Sequence, residues 1–217
     1  MTTSGLKRLT LAILATGSLA AALSACAPLV VGGVMVGGAL VVSDRRTSGA
    51  QLEDEGIELR SVNRIKDTMG DKAHVNVTSF NRQVLLTGEA PTAKDREQIE
   101  ATVRGVDNVR SVVNEIAVMP NSSLTQRSND TLITGKVKAS FVDAKDISFN
   151  VFKVVTERST VYLLGIVTPR EANRATEIAR GVGGVEKVVR VFEIISEEEL
   201  ARTQPKPAPV VADPAAK

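Results

Sequence analysis

Tryptophan is absent from these 217 residues, and cysteine, histidine and tyrosine occur once each. A lone cysteine excludes a disulfide framework, so stability must come from apolar burial. A lone histidine, His74, excludes a Cys/His zinc cluster. His74 opens an apparent strand and reads as a surface or edge residue, not a general base. Nothing matches a nucleophile elbow or a Walker phosphate loop. The expectation is therefore no enzyme, no catalytic residue, no metal ligand and no cofactor. The two apolar runs, Leu9 to Ala22 and Pro28 to Val42, are each shorter than the roughly 20 residues that a bilayer crossing needs.

What is present begins with a three-part leader. Lys7 and Arg8 precede an apolar core, Leu9 to Ala22, and Leu23-Ser24-Ala25 lead into Cys26. Positive start, short apolar core and small residues describe a secretory signal peptide over residues 1–25. Leu-Ser-Ala-Cys resembles the bacterial lipobox. That resemblance implies cleavage before Cys26, with diacylglycerol on its sulfur and an acyl chain such as palmitate on the new N-terminus. Each buried methylene gives about 0.8 kcal/mol, so several chains on one cysteine hold firmly. Ala27 follows where an aspartate favours the inner membrane in such lipoproteins, so the resemblance implies the outer membrane, with the domains in the periplasm. The apolar residues Pro28 to Val42 would span about 22 Å as a helix, short of the roughly 30 Å hydrocarbon core. Residues 26–50 read as a lipidated apolar linker at the membrane surface. The processed chain carries 25 basic and 25 acidic side chains. Near-zero charge argues against a general nucleic-acid binder.

The rest of the chain repeats itself. NVTSFNRQVLLTGEAPTAKDREQIEATVRGVDNVRSVVNEI (76–116) answers KVVTERSTVYLLGIVTPREANRATEIARGVGGVEKVVRVF (153–192). Two copies are too few for a solenoid, so two small domains are expected, at 51–119 and 120–195. Each reads as helix, strand, strand, helix, strand. In copy two the N-cap residues Ser128 to Thr131 precede a helical row, Ile133, Val137 and Phe141. The corresponding row in copy one is Ile57, Ser61 and Ile65, weakened by the serine. Glu53-Asp54-Glu55 reads as helix N-terminal charge. Hairpins are expected at Asn81-Arg82 and Arg158-Ser159, with Gly88 and Gly165 closing the second strands. The second helices run from about Thr92 to Arg104 and Pro169 to Arg180, stopped by Gly105 and Gly181. Last strands are expected at Val109 to Val118 and Val185 to Ile194. A helix between the second and third strands allows a right-handed crossover and a parallel pair. The fold class is α+β, with a three-stranded mixed sheet packed on two helices in each copy. Domains this small are marginally stable, so the copies should pack on each other. Residues 196–217 hold QPKPAPVVADPAAK and read as an extended tail.

The apolar strand ending in glycine, the helix, and R-G-V-x-x-V-x-x-V-x-N at Arg104 to Asn114 resemble the BON (bacterial OsmY and nodulation) domain. With the lipobox and SNDTLITGKVKASF, the chain is similar to dual-BON outer-membrane lipoproteins. The resemblance implies phospholipid binding and support of outer-membrane integrity.

The copies differ in charge. Residues 51–119 carry 9 basic and 12 acidic side chains, and residues 120–195 carry 11 and 8. Five of the six aromatic residues lie in copy two. A basic domain tethered to a membrane suggests binding to anionic phospholipid, at about 1 kcal/mol per cation near the surface. On the first helix of copy two, Leu132, Lys136 and Ala139 form a mixed stripe, with Lys138 further round. One apolar wedge beside lysines suits an interfacial helix. The resemblance implies an aromatic residue near Leu132, which this chain lacks. The plainer alternative packs Leu132 against copy one and leaves the lysines solvated. A second function stays open, a periplasmic adaptor for an envelope-assembly or cell-wall protein. Oligomeric state is not readable.

Overall fold

The computed structural model describes residues 44–203. The signal segment, Cys26, the apolar leader and the Pro-rich stretch beyond residue 203 lie outside the described residues. Helix α1 (Ser48–Met69) starts at Thr47, whose hydroxyl accepts the Ala50 N–H at 3.1 Å. Asp54, Ile57, Ser61, Ile65 and Met69 recur by three or four residues and are all buried on one face. Ser61 therefore sits inside that face without interrupting it. A 3₁₀ turn (Gly70–Lys72) leads into β1 (His74–Phe80), which pairs antiparallel with β2 (Gln83–Ala90). Helix α2 (Ala93–Arg104) crosses over, ends at Gly105, and returns the chain to β3 (Ser111–Asn114), parallel to β2. The short β4 (Ala117–Val118) continues along β2.

Copy two repeats this order: α3 (Leu124–Asp143), a 3₁₀ turn (Phe149–Val151), β5 (Lys153–Glu157), β6 (Thr160–Val167), α4 (Pro169–Arg180) and β7 (Lys187–Ile194). β5 and β6 form the antiparallel hairpin and β7 runs parallel to β6. The α+β class with two mixed sheets is as expected.

Several local expectations are corrected. Helix α3 begins at Ser123, in a reciprocal capping box with Gln126, and not at Ser128 to Thr131. Asp130 is thus inside the helix, and it is buried. Its work is to hold a turn. Arg158 and Ser159 both have positive φ (50° and 58°), the left-handed pair of a two-residue hairpin. Asp130 accepts both of their N–H groups, each at 2.9 Å. Asp54 does the same in copy one, accepting the Asn81 and Arg82 N–H groups at 2.7 Å and the Ser79 hydroxyl at 2.6 Å. Asp54 is therefore a buried clasp and not a surface charge aligned with the helix dipole. Burial pushes its carboxyl up, but Ser79, the turn amides and Arg46 outweigh that and hold it below the usual range.

Gly88 and Gly165 do not close their strands, which run on to Ala90 and Val167. A side chain at Gly88 would meet the His74 carbonyl, and one at Gly165 the Val151 carbonyl, so glycine lets neighbouring backbone approach. The last strand of copy one is broken where Asn114 turns its side chain back to accept the Ile116 N–H and to donate to Glu100. Residues 197–203, read as the start of an extended tail, form helix α5 (Glu197–Thr203). Three glutamates occupy its positive end, Ser196 accepts the Glu199 N–H, and Leu200 is buried. The C-terminal part of the expected linker also folds on: Arg45 makes a two-pronged ion pair with Glu171 and donates to the Ile166 carbonyl.

Both copies lie within one compact unit. Along β2, Val84 and Leu86 point to the helices of copy one, while Leu85 points the other way. Along β6, Val161 and Leu163 face their own helices, while Tyr162 and Leu164 face out. Leu85, Phe80, Tyr162, Leu164 and Val191 close into a shared third core between the sheets. The helices therefore cover the outside and the sheets meet in the middle. This is why both central strands read as unbroken apolar runs: they are buried on both faces. The Arg46 guanidinium lies 4.1 Å over the Phe80 ring, beside that core.

Candidate functional site

Helix α3 presents Ile133, Val137 and Phe141 to its own sheet and leaves the opposite face outside. Leu132, Lys136, Lys138 and Ala139 are all exposed. Leu132 is 64% exposed, so it does not pack against copy one. Neither Lys136 nor Lys138 makes an ion pair among the described residues. Lys138 and Ala139 border an open recess of about 380 Å³ whose other walls include Phe141, Val142, Phe149 and Phe152. Val142 is 56% exposed and Phe149 48%. Leu132 and Lys136 lie further along the helix, outside the recess lining. Sequence reasoning missed Phe149 and Val142. Phe149 sits in a 3₁₀ turn, where no helical or strand period marks a face.

The charge difference between the copies has a second use. Lys153 reaches Glu58 at 2.7 Å and Arg158 reaches Glu89 at 3.1 Å, both from copy two to copy one. Arg110 of copy one reaches Glu193 at 2.6 Å in return, and Asn81 donates to the same carboxylate. Part of the basic excess of copy two is therefore spent on its neighbour. Lys136 and Lys138 are not among those contacts.

Two buried acidic groups, Glu89 and Glu157, meet at this junction. Glu89 is fully buried, with His74 Nδ1 at 3.1 Å on Oε2 and Arg158 Nη1 at 3.1 Å on Oε1. Burial pushes its carboxyl up, but contacts from Ser122, Arg158 and His74 win and lower it. Glu157 is 6% exposed and accepts one hydrogen bond, from Asn76 Nδ2 at 2.7 Å. Burial lifts Glu157 above the ordinary carboxylate range despite that bond, and the nearby Glu89 charge adds to the lift. His74, on the edge strand β1 as expected, is also a half-buried member of a polar cluster. No helix among the described residues is long and apolar enough to cross a membrane.

The helix–hairpin–helix–strand unit occurs twice, and a BON domain model matches both, over residues 54–120 and 129–196. The chain belongs to the BON domain family. The dual-BON resemblance of the sequence is therefore borne out. The chain is 38% identical over 198 residues to the outer membrane lipoprotein DolP of Haemophilus influenzae, covering 90% of this chain and all of that protein. It is 34% identical over 154 residues to a 21 kDa hemolysin of Actinobacillus pleuropneumoniae, covering 70% of this chain and 79% of that one.

Proposed function

We propose that this chain is a non-catalytic outer-membrane lipoprotein, anchored through Cys26, whose second BON domain binds anionic phospholipid and so supports outer-membrane integrity. The observation that carries this reading is the outer face of α3. Exposed Leu132 and Val142 lie on α3 with Lys136 and Lys138, which have no ion-pair partner among the described residues, and exposed Phe149 stands in the 3₁₀ turn that follows. Apolar side chains can enter the headgroup layer while the ammonium groups meet phosphate. Phe149 supplies an aromatic wedge that α3 itself lacks. The DolP relative is named an outer membrane lipoprotein, and the lipobox ending at Cys26 supports the same location.

The test is co-sedimentation of a soluble form beginning near Ser43 with phosphatidylglycerol, cardiolipin or neutral vesicles. Binding should be selective for anionic lipid and should weaken as salt rises through the range where the Debye length falls below about 10 Å. Leu132→Glu or Phe149→Glu should reduce it at least about tenfold, since each places a like charge at the anionic surface. No binding to any vesicle would move the assignment to the periplasmic adaptor, with Cys26 as the sole membrane contact.

A further inference from the structure

The buried junction between the BON domains contains a donor set that neither the family nor the membrane reading uses. His74 stands at the start of β1, Glu89 near the end of β2 and Glu157 at the end of β5. One ligand-capable atom from each lies within 4.8 Å of the other two. In a tetrahedral zinc site, bonds of about 2.0–2.2 Å place neighbouring donors about 3.3–3.5 Å apart. The His74–Glu89 separation of 3.1 Å is near such an edge, and Glu157 needs to close by up to about 1.5 Å.

Two further observations point to a cation. Glu157 is nine-tenths buried, yet among the described residues it has no ion-pair partner and one hydrogen bond, from Asn76. A buried carboxylate ordinarily has a cation or a full set of donors. The second observation is access. Glu157 and His74 line a recess of about 350 Å³ together with Asn76, Asp130 and Thr134, so an ion and its water can reach them. Of the cations facing the cluster, Arg158 is paired with Glu89, while Arg127, which also lines the recess, donates to the Ser122 hydroxyl and makes no ion pair among the described residues. Asn76 on Glu157 and Arg158 on Glu89 already hold the two carboxylates in place, as outer partners do around bound metals.

We propose that His74, Glu89 and Glu157 bind a divalent transition-metal ion of the zinc class, with water from the recess completing its coordination. One imidazole and two carboxylates are nitrogen and oxygen ligands suited to such an ion. The site draws two ligands from the first BON domain and one from the second, so the ion ties the domains together.

Zn²⁺ titration into chelator-stripped full-length protein, by calorimetry and by thermal unfolding, tests this. The expected result is one site per chain and a rise in Tm of roughly 5–10 °C at a hundredfold excess over Kd. Glu157→Gln keeps the size and the acceptor for Asn76 but removes the ligand charge. It should weaken Zn²⁺ at least about tenfold while leaving the metal-free Tm equal or higher. His74→Gln should weaken Zn²⁺ similarly. Absence of a Zn²⁺ site in the native chain, or a site that both variants retain at full affinity, overturns the proposal. Because calorimetry counts the bound ion directly, a variant with lowered stability still reports on the site.

Discussion

Asp54 offers the sharpest test of how the fold is held. Its side chain is 2% exposed and accepts the Asn81 and Arg82 N–H groups, the Ser79 hydroxyl and one arm of Arg46 at 2.7 Å. Asp54→Ala orphans the two turn amides and the Ser79 hydroxyl and removes one of the two carboxylates that hold Arg46. A buried donor without a partner costs about 1–3 kcal/mol, and breaking a buried ion pair about 3–5 kcal/mol. Arg46 retains Asp44 at 2.6 Å, which limits the loss on that side. The expected cost is about 3–5 kcal/mol, a large share of the roughly 5–15 kcal/mol that holds a domain together. Asp130 takes only the two turn amides in the second domain, so Asp130→Ala should cost less, about 2–3 kcal/mol. With no tryptophan in the chain, urea unfolding is best followed by circular dichroism. The midpoint should fall while the slope stays constant. The pH dependence has a definite sign. Because the folded Asp54 carboxyl titrates below its unfolded value of about 3.9, its contribution is full above that pH and is lost as pH falls through the lower folded value. Asp54→Ala should therefore flatten the acid limb of the stability profile. A loss under about 1 kcal/mol, or one no greater than that of Asp130→Ala, would refute the clasp.

Two further outcomes can be checked on the same protein. Ser159→Gly relieves a left-handed, non-glycine turn position and should stabilise by about 0.5–1 kcal/mol, read as a higher urea midpoint. Leu85→Ala opens a cavity in the core shared by the two sheets and should cost about 2–5 kcal/mol. Because both domains line that core, calorimetry should show one cooperative transition in the native chain. Two separated transitions there would show that the domains fold independently.

Much of the architecture was legible because it rests on local chemistry. The row Ile133, Val137 and Phe141 is buried as its spacing required, and Gly105 and Gly181 end their helices. Proline at the first position of α4 does what a missing N–H permits there. Asp130 was misread for a physical reason. Aspartate near a helix start ordinarily caps it, and nothing nearby in sequence reveals a hairpin 28 residues away that needs an acceptor. Ser61 is fully buried in the apolar face of α1 with no hydrogen-bond partner for its hydroxyl, so the weakening its type predicts stands although the helix keeps its buried row. The candidate lipid surface was half visible: Leu132 and the lysines follow from helical period, while Phe149 reaches the recess from a turn.

The sequence by itself determined the two-copy α+β plan, the strand order, the glycine stops of the second helices and the single cysteine ahead of a BON pair. These depend on periodicity, glycine, proline and composition, all written within a few residues. The tertiary structure alone decided that the copies share a core through their sheets, that opposite charges of the two domains neutralise one another, and that His74, Glu89 and Glu157 meet. Those outcomes depend on which faces remain apolar after each copy has buried its own helices. Leu85 and Tyr162 must leave water, and among the described residues the large apolar face that each meets is the other sheet.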